Sequence, residues 1–178
     1  MSTTTRVLQI TDLHIRSAPT SKFMNTDVDT DATLQSVLDE IHANEPADSI
    51  VVATGDLVQD PVEAAYQRLK LQLTGSRNRY FLMPGNHDNP VLVRRVCNKD
   101  NSWCVGQQVL GEWLTLFLDT SDQPERPDGL ISRAELSRLE RTLAVCGNKH
   151  VMLFLHHPPV QVGSPWVDAI GLRNSDEF

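Results

Sequence analysis

The sequence predicts an α/β fold built on two β-sheets, and three observations lead to this prediction. First, apolar segments of strand length at 6–12, 49–54 and 79–83 alternate with segments of helical periodicity. Second, the middle of the chain has the pattern of a hairpin, which requires antiparallel strands. Third, four apolar runs end directly at Asp, Asn or His side chains. The first two observations concern the architecture, and the third concerns a site.

The first half of the chain predicts a β-α-β-α-β series. After the first strand and a polar loop, a helix is expected over residues 31–43, with Asp29 or Thr30 as its cap. A second helix is expected to begin with Asp60 as its N-cap, followed by Pro at the first turn, and to end near Gly75. Such a series produces parallel strands with helices packed against a face of the sheet.

The second half predicts a more antiparallel sheet. A short helix at 89–97 precedes a hairpin of strands 103–109 and 112–119. Ser132 begins a capping box and a helix that runs to Val145, and strand 149–155 follows it. At the C-terminus, Asn174 is followed by acids in the manner of a helix start. We therefore expect one domain over 1–178 that is truncated at its C-terminus.

Bulk properties exclude some classes of partner and favour a cytoplasmic protein. A chain of 178 residues suits one domain. The net charge of −7 argues against nonspecific binding to nucleic acid or to an anionic membrane. Cys97, Cys104 and Cys146 show no Cys-x-x-Cys spacing, so free thiols are favoured over a Cys97–Cys104 disulfide. The sequence has no signal-peptide pattern and no apolar stretch of membrane-spanning length.

The polar side chains that follow the four apolar runs predict one shared site. In open α/β sheets, ligands bind outside the carboxyl ends of the strands, where the loops meet. The four sets of side chains, in chain order, are Asp12 with His14; Asp56; Asn86 with His87 and Asp88; and His156 with His157. Their hard oxygen and imidazole donors suit transition metals such as Mn, Fe, Co or Zn. The sequence therefore predicts a metal-dependent hydrolase.

The residue types also indicate a mechanism. A carboxylate such as Asp56 can bridge two cations, one with each oxygen, and Asn86 offers a neutral oxygen as a further ligand. Two metals about 3.5–4 Å apart can hold a bridging hydroxide and clamp a phosphoryl group for in-line attack. His87 is expected to stabilise charge on the phosphoryl oxygens or to protonate the leaving alkoxide. Asp88 is expected to orient His87.

Each motif alone has a simpler explanation. Asp12-x-His14 could be a loop carboxylate beside a hydrogen-bonded histidine, Asp56 could cap a turn, and 86–88 could be an Asx turn. It is their common position after strands that favours the metal site.

A helix N-cap explains Asp60 fully, so Asp60 is left out of the site. His157 is expected to be a structural or pocket-lining neighbour rather than a metal ligand. Trp166 and the loop over 160–173 could line the substrate pocket or cover the core.

At these residues the chain resembles the calcineurin-like metallophosphoesterases, above all their class III cyclic-nucleotide phosphodiesterase and glycerophosphodiesterase branch. The motifs that carry the resemblance are Asp12-Leu13-His14, Gly55-Asp56, Gly85-Asn86-His87-Asp88 and His156-His157-Pro158. The resemblance implies a four-layer α/β/β/α sandwich. It also implies that Asp12, His14 and Asp56 hold one metal, and that Asp56, Asn86 and His156 hold the second. We expect iron and manganese, with zinc or cobalt as alternatives.

The resemblance also implies a substrate. The leading expectation is hydrolysis of 3′,5′-cyclic AMP, and the alternative is a glycerophosphodiester or another small phosphoester. Neither a nucleic acid nor a membrane is expected as partner, and a homo-oligomer is left open. The later Gly-His-x-His motif of the family does not occur in this sequence. We therefore expect this chain to bind metal weakly and turn over slowly, and a non-catalytic binding module or inactive fragment is the hypothesis of another class.

Overall fold

The computed structural model describes residues 4–19, 23, 26–97, 106–121 and 126–178. The elements are two sets of strands and the helices that follow them. In chain order they are β1 (Val7–Ile10), α1 (Thr30–Asn44), β2 (Ile50–Thr54), α2 (Glu63–Thr74), β3 (Arg79–Met83), α3 (Pro90–Cys97), β4 (Gly106–Leu110), β5 (Trp113–Phe117), α4 (Arg133–Val145), β6 (His150–Phe154) and α5 (Pro165–Ala169). The strands form two three-stranded sheets, with the orders β1-β2-β3 and β4-β5-β6.

The first sheet is parallel throughout, as the β-α-β-α-β pattern predicts. β2 pairs with β1 on one side and β3 on the other, and all five of its residues are buried. Helices α1, α2 and α3 cover the outer face through Leu38, Leu69 and Val93, which join one apolar cluster with Val51 and Leu82. The three carboxyl ends of these strands consequently lie at one edge of the sheet.

The second sheet is mixed. β4 and β5 form the expected antiparallel hairpin, although residues 103–105 of the predicted first strand lie outside the described residues. β6 pairs parallel with β5, so its carboxyl end points the same way as that of β5. Helix α4 covers the outer face, where Leu139 packs with Leu114 and Leu116.

Aromatic side chains join the two sheets face to face. Phe117 of β5 stacks on Phe154 of β6 with ring centroids 5.2 Å apart, and it contacts Phe81 of β3 at 5.5 Å. Val52 and Met83 of the first sheet belong to the same buried cluster. The order of layers is therefore helices, sheet, sheet, helix, which confirms the four-layer α/β/β/α sandwich.

Two caps differ from the prediction. Helix α2 begins at Glu63 after Val62, and no side chain caps it. Asp60 is not its N-cap, because the Asp60 carboxylate instead accepts hydrogen bonds from the backbone N–H and the hydroxyl of Ser17. Only one of the two hydrogen bonds of the capping box of α4 forms. Ser132 accepts from the Glu135 N–H as expected, but the Glu135 carboxylate accepts from Arg138 and from the Asp119 N–H.

The C-terminal segment also differs from the prediction. The expected loop over 160–173 contains a short helix, α5. Asn174 does not begin a helix; its side chain bonds to both the N–H and the carbonyl of Ile131. In the part of the chain that the structure describes, no helix combines the length and the apolar character needed to cross a bilayer. Cys146 is a free thiol, and Cys104 lies outside the described residues.

The contact between the sheets predicts a large effect of Phe117→Ala. Phe117 is fully buried between two aromatic rings, so its truncation should lower the free energy of unfolding by about 3–5 kcal/mol. Val109→Ala on β4 is the control, because Val109 is 55% exposed and should change stability by less than about 0.5 kcal/mol. Urea unfolding measures both. Equal effects of the two substitutions would contradict this assignment of the core.

Candidate metal centre

The site begins where the loop after β1 runs beside the loop after β2. Backbone hydrogen bonds continue between the two loops beyond the sheet, from the N–H of Asp12 to the carbonyl of Gly55 at 3.1 Å and from the N–H of His14 to the carbonyl of Asp56 at 2.9 Å. A bridge between Ile15 and Val58 follows. These contacts hold the side chains of both loops at the carboxyl edge of the first sheet.

The backbone at this edge adopts an unusual conformation. Asp12, His14 and Asp56 have φ values of 55°, 43° and 50°, and no other non-glycine residue in the described segments has a positive φ. This left-handed region costs about 1–3 kcal/mol for a non-glycine residue, and such residues cluster at functional sites. The three strained positions are the three that the sequence predicts as ligands of the first metal.

Two glycines allow the loops to approach each other closely. A Cβ on Gly55 would lie 2.5 Å from His156 Nδ1, and a Cβ on Gly85 would lie 2.8 Å from His156 Nε2 and would also overlap the Asp56 carboxylate. No side chain fits at these separations. The missing side chains therefore let the loops after β2 and β3 meet the histidine that follows β6.

Asp56 lies at the centre of the side chains so assembled. Its Oδ1 is 3.4 Å from His156 Nε2, and its Oδ2 is 3.7 Å from His14 Nε2. Asp12 Oδ1 lies 3.9 Å from His14 Nε2. Two groups of three residues each have ligand atoms within 4.8 Å of one another: His14, Asp56 and His87; and Asp12, Asp56 and His156. Asp56 belongs to both groups, which is the position that a bridging carboxylate needs.

The orientation of His156 suits a bound cation. Its Nδ1 lies 2.8 Å from the carbonyl oxygen of Thr54. Because a carbonyl only accepts, Nδ1 carries the proton, and in the neutral ring Nε2 presents its lone pair to Asp56 Oδ1. Two acceptors that face each other need a proton or a cation between them. A backbone carbonyl that fixes the tautomer in this way is the usual partner of a metal-binding histidine.

The charges of the site favour the metal-binding forms of Asp56 and His14. Burial by itself raises the pKa of Asp56, but the hydrogen bond and charge of His156 outweigh it and lower that pKa to about 2. Burial lowers the pKa of His14 against the opposing charge of Asp56. Burial also acts to lower the pKa of His156, but its contact with Asp56 prevails and raises it. Asp56 is therefore ionised at neutral pH and His14 neutral, the forms in which they bind metal.

Asn86 and His87 lie at the same cavity. This cavity of about 460 Å³ is lined by all five expected ligands and by His87, together with a set of apolar residues. The backbone N–H of His87 donates to Asp56 Oδ1 at 3.0 Å. The imidazole ring of His87 meets that of His14 edge-on, with ring centroids 5.0 Å apart. His87 thus stands in the donor group of His14 and Asp56, where the family resemblance implies Asp12.

Asp88 does not contact His87 as expected. Its carboxylate accepts from the backbone N–H groups of Leu57, Val58 and Gly85 and from the Tyr66 hydroxyl, and none of its hydrogen bonds in the described structure goes to His87. Burial raises the pKa of Asp88 to about 7 against these donors. Asp88 points away from the cavity and joins the loop after β2 to the loop after β3.

His157 lies beside the cavity and is almost completely buried. Its Nδ1 is 2.7 Å from the Thr120 hydroxyl, which in turn accepts from the His157 N–H. Its Nε2 has no hydrogen-bond partner among the described residues. Burial lowers the pKa of His157 to about 4, so the ring is neutral. A Cβ on Gly129 would lie 2.5 Å from the ring. Only glycine therefore fits there, and the 127–131 segment packs directly against the ring.

The sequence leaves the apolar part of the site undecided. Trp166, Val167 and Ile170 line the same cavity as the metal donors, together with Pro127 and Pro158. Trp166 was considered for either the pocket or the core, and the structure places it at the cavity. No pattern in the sequence indicates helix α5, because its five residues are too few to show a period.

Comparisons with known proteins identify the family of the chain. The family model described as calcineurin-like phosphoesterase matches residues 5–174. The 3′,5′-cyclic adenosine monophosphate phosphodiesterase CpdA of Escherichia coli (strain K12) is 35% identical over 174 residues, which cover 97% of this chain and 62% of that protein. The proteins of the same name from Haemophilus influenzae and Vibrio vulnificus are 32% and 30% identical, with the same coverage. The chain thus spans less than two thirds of the length of these relatives.

The close approach at Gly85 predicts that Gly85→Ala damages the site. The added methyl group would push Asp56 and His156 apart, so Mn²⁺ affinity in calorimetry should fall at least about 10-fold. Gly75→Ala is the matched control, because Gly75 follows α2 with an ordinary helical φ of −72° and a Cβ there would come no closer than 3.9 Å to another atom, the Gln72 carbonyl oxygen.

Circular dichroism of the Gly85 variant verifies that it is folded. Overpacking should destabilise it by about 1–3 kcal/mol. Wild-type Mn²⁺ affinity in the folded variant would contradict the geometry described for this loop.

Proposed function

The chain belongs to the calcineurin-like phosphoesterase family, and we propose that the protein is a metal-dependent phosphodiesterase that hydrolyses 3′,5′-cyclic AMP to 5′-AMP. The observation that carries the proposal is the convergence of carboxylate and imidazole donors on Asp56 within one cavity. The names of the relatives support cyclic AMP as substrate. Because the chain spans 62% of those relatives, the activity is proposed for the whole protein.

Two metal ions fit the donor set. The family implies divalent metal ions, and the described residues contain two candidate groups that share Asp56. We propose that Asp12, His14 and Asp56 hold one ion, and that Asp56, Asn86 and His156 hold the other. Iron and manganese suit this mixture of carboxylate, amide and imidazole ligands, and zinc or cobalt are the alternatives. The bound ions would supply a nucleophilic hydroxide at neutral pH and neutralise charge on the phosphoryl oxygens.

The reaction requires one bond to form and one to break. The oxygen of water forms a bond to phosphorus, the bond from phosphorus to the 3′ oxygen breaks, and the 3′ oxygen takes up a proton. His87 is the residue of this chain that would donate that proton, or a hydrogen bond to the phosphoryl oxygens, because its ring stands beside His14 and Asp56 at the cavity. His157 lies in the same wall and would contact the bound ester.

Asp88 would position the loops of the site rather than orient the ring of His87. By accepting from Leu57, Val58 and Gly85 it fixes the loops on both sides of Asp56 and Asn86. Misplacement of a reacting group by about 1 Å can cost about 100-fold in rate, so such support affects turnover indirectly.

A cytoplasmic location agrees with this proposal. Cys146 is a free thiol, as in a reducing compartment. Glycerophosphodiesters remain the alternative substrates, and a comparison of kcat/KM between them and cyclic AMP separates the two. A strong preference for the glycerol esters would make them the proposed substrate in place of cyclic AMP and would leave the proposed mechanism unchanged.

The shared carboxylate predicts that Asp56→Ala removes both metals. Each donor group loses its common member, so the Mn²⁺ bound to the whole protein, measured by elemental analysis after dialysis, should fall from two ions per molecule towards none. Hydrolysis of cyclic AMP should fall with it. Asp39→Ala, on the exposed face of α1, is the control and should retain both properties. If the wild-type protein bound no divalent metal, and Asp56→Ala left folding, metal content and hydrolysis unchanged, the non-catalytic hypothesis would take the place of the enzyme.

The proposed role of His87 predicts a different result for His87→Ala. A residue that transfers a proton without holding metal should leave Mn²⁺ content unchanged, while kcat falls by about 10²–10⁴. His42→Ala is the matched control, since His42 contacts Ser76 away from the cavity. Loss of one of the two ions in His87→Ala would instead make His87 a ligand.

A further inference from the structure

We propose that the indole ring of Trp166 is a stacking surface for the nucleobase of the substrate. The inference rests on the proposed function, since it concerns the part of a cyclic nucleotide that the metal donors do not contact. It assigns the recognition of the base to helix α5, which no motif of the sequence indicates.

The cavity has two chemically different sets of lining residues. The loops after β1, β2 and β3 contribute charged and polar side chains, as does His156, and all of them suit a phosphoryl group and its metals. Pro127, Pro158, Trp166, Val167 and Ile170 contribute apolar surface. A ligand that fills such a cavity needs an anionic part and an apolar part. Ligand sites commonly combine a few polar groups with an apolar lining in this way.

Trp166 is exposed to a degree that is unusual for its size. Its relative accessibility is 74%, although tryptophan is on average strongly buried. An exposed indole face beside a phosphate-binding site offers what a base needs, because stacking on an aromatic ring is available to every base. Val167 and Ile170, which also line the cavity, are only half-buried and extend the apolar surface beside it.

The helix that carries Trp166 is fixed in place. The Asp168 carboxylate accepts from the Val162 N–H at 2.8 Å, which closes the turn before α5. After α5, the Leu172 N–H donates to the carbonyl of Pro158, and the Arg173 N–H donates to the carbonyl of Gly129. The first bond closes the segment on itself, and the other two attach its C-terminal end to the loop that carries His156 and to the segment behind His157. The ring is thus held on a rigid support, which reduces the entropy lost when a ligand binds.

Stacking without hydrogen bonds to the base edge has a consequence for specificity. Adenine and guanine both present a large aromatic face, so Trp166 should contribute similarly to the binding of either purine nucleotide. It should contribute little to the binding of inorganic phosphate, which has no base. The comparison of a nucleotide with phosphate therefore isolates the indole from the metal donors.

The experiment measures the binding of 5′-AMP, 5′-GMP and inorganic phosphate to the Mn²⁺-loaded protein by titration calorimetry. Trp166→Ala should weaken both nucleotides by about 10-fold and phosphate by less than about twofold. Trp166→Phe should restore most of the nucleotide affinity, because it keeps a ring. Val160→Ala is the matched control, since Val160 is an exposed apolar residue (69%) before the same helix that does not line the cavity.

The outcomes separate this inference from the proposed function. Equal weakening of nucleotides and phosphate, or no change in either, would overturn the stacking role, and hydrolysis of cyclic AMP by the wild-type protein would still support the proposed function. If the wild-type protein does not hydrolyse cyclic AMP, the proposed function fails. A tenfold loss confined to the nucleotides would then still assign the indole to base recognition.

Discussion

The site depends on one constraint. The loops after β1, β3 and β6 must all approach the carboxylate of Asp56, which lies in the loop after β2. Asp56 can be reached by His14 and His156 only because the chain accepts a left-handed backbone at three ligand positions and has no side chain at Gly55 and Gly85. The buried parallel strands behind these loops hold them in that conformation. The free energy of the core is thus used to stabilise a local arrangement that the loops would not adopt alone.

Much of the fold could be predicted from the sequence because it rests on long periodic segments. The strands of the first sheet are continuous apolar runs, and the hairpin and the helix after Ser132 carry standard signals, so all of them were found close to their true bounds. Asp60 was misassigned because an acid before Pro suits a helix cap and a loop contact equally well. Only the fold brings Ser17 near enough to compete for that carboxylate.

For the candidate site, too, local features could be predicted from the sequence, whereas contacts between distant segments could not. The ligand types and their positions after strands were visible in the sequence, and the structure brings them to one cavity. The direction of each side chain was not visible. Asp88 follows His87 directly, yet its carboxylate turns to the backbone N–H groups of Leu57 and Val58 in the loop after β2 and of Gly85 in its own loop. Trp166 could not be assigned for the same reason, since its neighbours at the cavity are distant in sequence.

The central claim is that two metal ions share Asp56, and electron paramagnetic resonance of the Mn²⁺-loaded protein tests it most directly. Two Mn²⁺ ions joined by one carboxylate are magnetically coupled, and their hyperfine lines are spaced at half the interval of an isolated ion. The account predicts this coupled spectrum in the wild-type protein. A spectrum of isolated Mn²⁺ ions at full occupancy, or the absence of any protein-bound Mn²⁺, would contradict it.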